Sequence, residues 1–331
     1  MRVSLIFTVL NEAHSIQGLL DSIAAQTVQP DEVVACDGGS TDDTVSLLRS
    51  EMRFPTRIIV EPGANISRGR NVAIAAAQGK IVACTDAGVR LDERWLEKLL
   101  RGEQKPHPSP LIPHPSATAG FFLPDPRTTF EVAMSAAVLP RVSEIESQKF
   151  LPSSRSVAFL KSAWQAVGGY PEWLDYCEDL IFDLNLRKAF GPFAFAPEAI
   201  AYFRPRGSLK SFFKQYYFYA RGDGKANLFF KRHLIRYGTY LVGLPILLAG
   251  MVSSVGLLVV SCWLLLLMGF VAYHKTPYGR LMQLWQNLSR IEKLKAALLV
   301  PVIRVVGDVA KMLGYPVGVL WRMNHAETDR G

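Results

Sequence analysis

Acidic residues stand at three places where this chain could do chemistry. Asp37 closes the apolar run Glu32–Cys36 in EVVACDGGSTDDT, Asp86 closes Ile81–Thr85, and the pair Glu178-Asp179 opens a helical stretch that runs to Arg187. A carboxylate at the lip of a strand can face a ligand, or it can serve the local fold. Ser40 or Thr41 would cap a following helix, with Asp42 and Asp43 in its first turn, where the dipole favours negative charge. Gly38 and Gly39 would supply the turn. That local reading leaves Asp37 itself without a role. For Glu178 and Asp179 the local role is to complement the N-terminus of their helix.

The elements that carry these residues alternate. Strands are predicted at Arg2–Val9, Glu32–Cys36, Thr56–Val60 and Ile81–Thr85. Helices are predicted at Ile16–Gln26, through Val45, Leu47 and Leu48, at Arg70–Gln78 with Gly79 as its C-cap, and at Glu93–Arg101. This spacing means βαβ units and a parallel sheet, an α/β fold. Ligands of such sheets bind beyond the carboxyl ends of the strands. Asp37 and Asp86 each follow such an end, as do Thr8, Asn11 and Glu12 after the first strand. The proline-rich stretch Pro106–Pro115 reads as a loop. Beyond it come a strand at Thr118–Leu123, a helix at Phe130–Leu139, Val157–Phe159, the turn Gly168-Gly169-Tyr170-Pro171 and the Glu178–Arg187 helix. In that helix Leu180, Ile181 and Leu184 would form the apolar face, with Asp183 paired to Arg187.

Composition divides the chain. Residues 1–190 hold 19 Lys and Arg against 23 Asp and Glu, a balance of −4, while residues 191–331 hold 18 against 6, a balance of +12. No charge interrupts the 35 residues from Thr239 to Tyr273. One helix of that length would reach about 52 Å, against roughly 30 Å of bilayer core. Two helices turning near Gly250–Ser254 fit better, and Pro245 could kink the first. Lys231, Arg232 and Arg236 precede the run, and Lys275 and Arg280 follow it, so both ends of the hairpin belong on the cytoplasmic side. The basic C-terminal half would lie against anionic headgroups. Ala297–Trp321 is apolar with a stripe containing Arg304, Asp308 and Lys311, as in a helix lying in the headgroup plane.

Other classes lose ground. Cys36, Cys84, Cys177 and Cys262 show no CxxC spacing, and the first two read as small apolar strand residues in a reducing setting. Arg2–Val9 is too short for a signal peptide. No GxGxxG follows a strand, which excludes a dinucleotide-dependent oxidoreductase. The aromatic and cationic run Ser211–Tyr219 leads into the membrane stretch and reads as an interfacial belt, not a nucleic-acid surface.

The ordered segments FTVLNEAHSIQGLLDSIAAQT (7–27), VVACDGGSTDDT (33–44), ISRGRNVAIAAAQGKIVACTDAG (66–88) and VGGYPEWLDYCEDLIFDLNLR (167–187) resemble the family 2 glycosyltransferases. The resemblance covers about residues 1–230 and implies a GT-A nucleotide-sugar-binding domain with a mainly parallel sheet, followed over 231–331 by a membrane-associated helical region. It implies that Asp37 accepts a hydrogen bond from a nucleobase ring N–H, typically of uracil, so that the donor would be UDP-linked. It implies further that Thr8 and Glu12 line the base and ribose pocket, and that Arg70 and Asn71 close it. Asp86 would be the first acid of the DxD motif, gripping the ribose and a divalent cation, Mg²⁺ or Mn²⁺. Here the motif departs, because Asp86-Ala87-Gly88 lacks the second acid. Asp86 with waters and the diphosphate could still hold a metal, since Mg²⁺ commonly keeps one or two protein carboxylates.

By the same resemblance, Asp179 of Glu178-Asp179 is the general base that takes the proton of an acceptor hydroxyl in a single, inverting displacement. Arg155, in Leu151–Ser156, would contact donor or acceptor, or else serve as a structural ion-pair partner. The Gln-x-x-Arg-Trp of processive synthases is absent, the corresponding positions being Gln215, Phe218 and Tyr219, which points to transfer of single sugars. The acceptor expected beside a membrane hairpin is a lipid or lipid-linked sugar. The rival reading is a non-catalytic, membrane-bound sensor or scaffold for nucleotide sugars, favoured by the missing acid and opposed by the retained Glu178-Asp179.

Overall fold

The computed structural model describes residues 1–103 and 116–325, so the proline-rich stretch Pro106–Pro115 lies outside the described residues. The chain forms two compact units, Met1–Asp125 with Pro140–Arg204, and Pro126–Leu139 with Pro205–Gly331.

In the first unit the strands are β1 (Val3–Val9), β2 (Glu32–Asp37), β3 (Thr56–Val60), β4 (Ile81–Cys84), β5 (Val89–Leu91), β6 (Ala117–Pro124), β7 (Val157–Leu160) and β8 (Ala194–Phe203). They form one sheet in the order β3-β2-β1-β4-β7-β6-β8-β5. The β3-β2-β1-β4 portion is parallel, β7 runs antiparallel to β4 and β6, and β8 pairs parallel with β6 and antiparallel with β5. Alternation along each strand feeds two cores. Leu5, Phe7, Val33 and Ala35 pack on one face, and Ile6, Val34, Cys36 and Cys84 on the other.

Helices α1 (Ile16–Ala24), α2 (Thr44–Ser50), α3 (Ile66–Ala76) and α4 (Trp95–Glu103) connect or flank the early strands. The sequence places α3 four residues too late. It starts at Ile66, where the Asn65 side chain accepts from the Arg68 N–H at 2.9 Å. Gly79 does not cap it. A Cβ at Gly79 would lie 2.6 Å from the backbone nitrogen and Oγ of Ser4, so the glycine is required by close approach.

The second unit opens with α5 (Thr129–Val138). The short α6 (Lys161–Ala166) and α7 (Glu178–Phe190) belong to the first unit, and α8 (Leu209–Lys225) resumes the second. An unbroken helix then covers Phe230–Met251, as α9 (Phe230–Tyr237), a π-helical segment Gly238–Gly243, and α10 (Leu244–Met251). After Val252–Val255 come α11 (Gly256–Leu284) and α12 (Arg290–His325). Val132, Ala133, Ala137, Phe212, Leu281, Val300 and Ile303 form their common core. Helices α8 and α12 touch backbone to backbone, because Gly224, Gly314 and Gly318 leave no side chain between them.

The helices Phe230–Met251 and Gly256–Leu284 have 22 and 29 residues and are long and apolar enough to cross a bilayer. Their exposure excludes buried core helices. Leu241, Ile246, Leu257, Trp263, Leu264, Leu267 and Met268 are all more than half exposed. On α12, Leu294, Leu298, Leu313 and Leu320 are exposed while Ala296, Val300, Ile303 and Gly307 are buried. Its polar residues Arg304, Asp308 and Lys311 do share a face, with Lys311 Nζ 3.9 Å from Asp308, but that face is packed against other helices of the unit. Asp308 reaches Arg236 at 2.8 Å and accepts from the hydroxyls of Tyr240 and Tyr273, whereas Arg304 lies over the Tyr273 ring at 4.0 Å.

Candidate active site

The loops after β1 and β2 are tied together by side chains, with Asp37 at the knot. Asp37 is the last residue of β2, opposite Val9 on β1 and Val60 on β3, and it is fully buried. Its Oδ2 accepts from the Gly39 and Ser40 N–H groups, both at 2.9 Å, and its Oδ1 accepts from Ser40 Oγ at 2.5 Å. Gly39 has φ +97°, a conformation that favours glycine. A carboxylate offers about four acceptor positions, and the loop takes three of them. Ser40 therefore locks Asp37, and neither it nor Thr41 caps the helix. Helix α2 starts only at Thr44, and Asp42 accepts from the Thr44 N–H at 3.1 Å.

The loop after β1 joins this arrangement. Asn11, with φ 54°, accepts from the Thr41 N–H at 2.8 Å, and the Glu12 N–H donates to Thr44 Oγ1 at 2.9 Å. The Glu12 carboxylate is held by the Ser15 hydroxyl. Thr8 is half-buried and packs on α3, where a Cβ at Gly69 would come within 2.8 Å of its methyl group. Thr8, Glu12 and Asp37 thus share the carboxyl edge of the sheet.

A second group is built around Arg70, whose side chain is 2 % exposed. Its Nη1 donates to Glu178 Oε1 at 2.6 Å and its Nη2 to Asp86 Oδ1 at 2.9 Å. The guanidinium lies 5.3 Å from the centre of the Tyr170 ring, and the Tyr170 hydroxyl meets Ser154 Oγ at 3.1 Å. The other oxygen of Asp86 faces Arg155 Nε at 3.3 Å. Arg155 is itself laid on the Phe203 ring at 4.8 Å and donates from Nη1 to Ser153 Oγ at 3.2 Å. One carboxylate therefore sits between two guanidinium groups. Tyr170 and Ser153 lie in two stretches that the sequence singles out, the Gly168-Gly169-Tyr170-Pro171 turn and Leu151–Ser156, whereas nothing in the sequence points to Phe203.

Glu178 and Asp179 open α7 directly after Cys177, a non-glycine residue at φ 67°. Such a conformation costs of order 1–3 kcal/mol and persists where the surroundings over-determine it. The two acids diverge. Glu178 is buried against Arg70; burial first, then the Asp179 charge, push its carboxyl up to about 7, while Arg70 pulls it down. Asp179 stays half-buried, with its Oδ1 accepting from the Leu180 N–H at 2.8 Å. The buried face of α7 is Glu178, Phe182, Asp183 and Leu186, not the Leu180, Ile181 and Leu184 face expected. Asp183 accordingly does not pair with Arg187, which donates to the Lys149 carbonyl at 3.4 Å. Its Oδ2 is buried with no hydrogen-bond partner among the described residues, and burial followed by the Asp179 charge holds the carboxyl well above the usual carboxylate range.

Asn71, one residue from Arg70, is bonded to the backbone of the turn that carries Tyr170. Its amide nitrogen donates to the Tyr170 carbonyl at 2.8 Å and Glu172 Oε1 at 3.0 Å, and its oxygen accepts from Trp164 Nε1 at 3.1 Å and the Tyr170 N–H at 2.9 Å. Both donors and both acceptor positions are used, so Asn71 braces the glycine turn. A divalent cation fits the donor set poorly. Both oxygens of Asp86 are ion-paired, Gly88 offers no second carboxylate, and among the described residues no three His, Cys, Asp or Glu side chains gather as metal ligands.

A parallel β3-β2-β1-β4 edge lined by acids, continued by antiparallel strands that bring Arg155 and α7 to it, is a GT-A nucleotide-sugar-binding fold, and the chain is a glycosyltransferase. It carries a glycosyl transferase family 2 domain, which residues 4–131 match. It is 24% identical over 241 residues to the O-antigen chain rhamnosyltransferase RfbN of Salmonella typhimurium, covering 66% of this chain and 73% of that protein. Over 115 residues it is 27% identical to a validoxylamine A glucosyltransferase of Streptomyces hygroscopicus subsp. limoneus, covering 33% of this chain and 25% of that one. The fold is shared with the mannosyltransferase PcManGT from Pyrobaculum calidifontis, solved in complex with GDP-Man and Mn²⁺, at a TM-score of 0.55 and 18% identity over 97% of this chain and 87% of that one.

Proposed function

We propose that this glycosyltransferase moves one sugar, with inversion, from a nucleoside diphosphate sugar to a hydroxyl of a lipid or lipid-linked acceptor at the cytoplasmic face of a membrane. The observation that carries the reading is the divergence of Glu178 and Asp179. Arg70 holds Glu178 in a buried ion pair, so Asp179 is the carboxylate left to meet an acceptor hydroxyl. A base on the acceptor side suits a single displacement, in which the hydroxyl oxygen attacks the anomeric carbon as the nucleoside diphosphate departs. The remaining acceptor position of Asp37 suits a ring N–H, as on uracil, with Thr8 and Glu12 beside it. Asp86 would take the ribose hydroxyls. The divalent cation that the family resemblance implies would find only Asp86 here, already paired with Arg70 and Arg155.

The membrane part rests on the two exposed apolar helices and on their basic flanks. That the relative from Salmonella is an O-antigen chain rhamnosyltransferase supports a glycan acceptor. The retained Asp179, with Arg70 fixing its neighbour, weighs against a non-catalytic sensor.

A panel of nucleotide sugars incubated with membranes containing the protein tests the reading through release of nucleoside diphosphate and the anomeric configuration of the product. Asp179→Asn is expected to lower turnover by about 10²–10⁴ with donor affinity nearly unchanged, since the base acts on the acceptor. A variant retaining more than about a third of wild-type turnover removes Asp179 from the role of base.

A further inference from the structure

We infer that Arg155, steered by Asp86, neutralises the departing diphosphate in place of a divalent cation. The inference rests on the donor class proposed above and concerns how this chain handles that donor's charge. Departure of a nucleoside diphosphate leaves negative charge that a metal or basic groups must meet.

The acid that would meet a metal is already paired. Asp86 Oδ1 is held by Arg70 at 2.9 Å and Oδ2 by Arg155 at 3.3 Å. Arg70 cannot withdraw to make room, because its side chain is 2 % exposed and its other nitrogen is fixed on Glu178 at 2.6 Å. Two residues beyond Asp86 stands Gly88, exposed and without a carboxylate. A cation would thus meet a carboxylate already paired with two guanidinium groups, one of them shared with Glu178.

The arginine, by contrast, is placed for an anion. Its side chain is 25 % exposed, whereas Arg70 is sealed. The Phe203 face at 4.8 Å and Ser153 Oγ at 3.2 Å fix the plane of the guanidinium, and Asp86 fixes its Nε edge. A planar, pre-oriented guanidinium matches phosphate oxygens with paired N–H groups. Asp86 would then act twice, on the ribose and on the orientation of Arg155.

The test compares binding of a nucleoside with that of its diphosphate, using uridine and UDP, and guanosine and GDP. In the wild type, EDTA is expected to change diphosphate affinity by less than about twofold. Arg155→Ala is expected to weaken the diphosphate by at least about tenfold while leaving the nucleoside unchanged. Arg155→Lys should recover part of the loss by charge alone, and thermal melting of both variants checks that they fold. Gly88→Asp supplies the complementary arm. A Cβ there meets nothing within 4 Å, so the second acid can be installed, and diphosphate binding should become responsive to Mn²⁺. Binding that EDTA abolishes in the wild type overturns the role of Arg155 but leaves the donor reading standing. Equal loss of nucleoside and diphosphate in a folded Arg155→Ala does the same. A wild type that binds no nucleoside diphosphate overturns the donor reading and this inference together.

Discussion

Arg70 and Glu178, 108 residues apart in sequence, meet in a buried ion pair at 2.6 Å, and this contact joins α3 to the start of α7. Removing one partner of such a pair strands the other's charge in a poor solvent. Arg70→Met should therefore destabilise the fold by about 3–5 kcal/mol at neutral pH. The loss should shrink on acidification, because Glu178, with its carboxyl already raised by burial, is then protonated and needs no counter-charge. Thermal melting of wild type and variant between pH 5 and 8 measures this, and a loss independent of pH would point to packing against Tyr170 as the cause.

For Asp37 the structure joins two roles, since three local hydrogen bonds and a ligand contact would fall on one carboxylate. Asp37→Ala should weaken the donor by about 1.5–3 kcal/mol and also cost stability, because the Gly39 and Ser40 N–H groups lose their acceptor. Ser40→Ala separates the effects by removing the bond at 2.5 Å while keeping the carboxylate. Donor titrations of both variants decide. An equal loss of affinity in the two would mean that Asp37 acts only by shaping its loop.

Much of this site was legible because strands β1, β2 and β4 are buried on both faces and are followed abruptly by polar residues. Asp37, Asp86, Glu178 and Asp179 stand at such ends or starts, where a period switches. Other features leave no local trace. Strand β5 has three residues, and β8 contains Pro197 and Glu198 and pairs with β6 through an irregular register, so neither shows a clean alternation. Arg70 reads as one cation in an Ala-rich helix, and nothing in its neighbourhood announces partners 16 and 108 residues away. Asp183 misled because i, i+4 spacing to Arg187 suggests a solvated pair, whereas the helix buries that face under the sheet core.

Asp183 makes a separate prediction about pH. A carboxyl whose folded value is raised binds its proton more readily in the folded state than in the unfolded one. Its stabilising contribution is complete below the ordinary value of 3.8 and is lost as pH rises through the folded value. Stability should thus decline with rising pH across that window, with Glu178 adding a decline of the same sign from about 4.5 towards 7. Asp183→Asn removes one of the two ionisations and should flatten the profile while matching or exceeding wild-type stability at neutral pH. Melting curves at intervals of pH check it; a variant profile parallel to the wild type would assign the slope to other groups.

The last prediction concerns the membrane. Helices of 22 and 29 residues span about 33 and 43 Å, each enough for a hydrocarbon core of roughly 30 Å with some tilt. Lys231, Arg232 and Arg236 lie at the start of the first, and Lys275 and Arg280 near the end of the second, so the basic ends belong together on the cytoplasmic side. The link Val252–Val255 should then emerge on the opposite face. Single cysteines at Met52, Val252 and Met323 can decide this, since these side chains are 87%, 86% and 66% exposed. The native cysteines give a low background, three of the four being buried. A reagent that cannot cross the membrane should label Val252→Cys from outside and leave Met52→Cys and Met323→Cys untouched until the membrane is opened. Labelling of Met323→Cys from outside would mean an odd number of crossings, with α12 across the bilayer from the catalytic unit. Labelling of none of the three would leave the apolar helices re-entrant or lying in the interface.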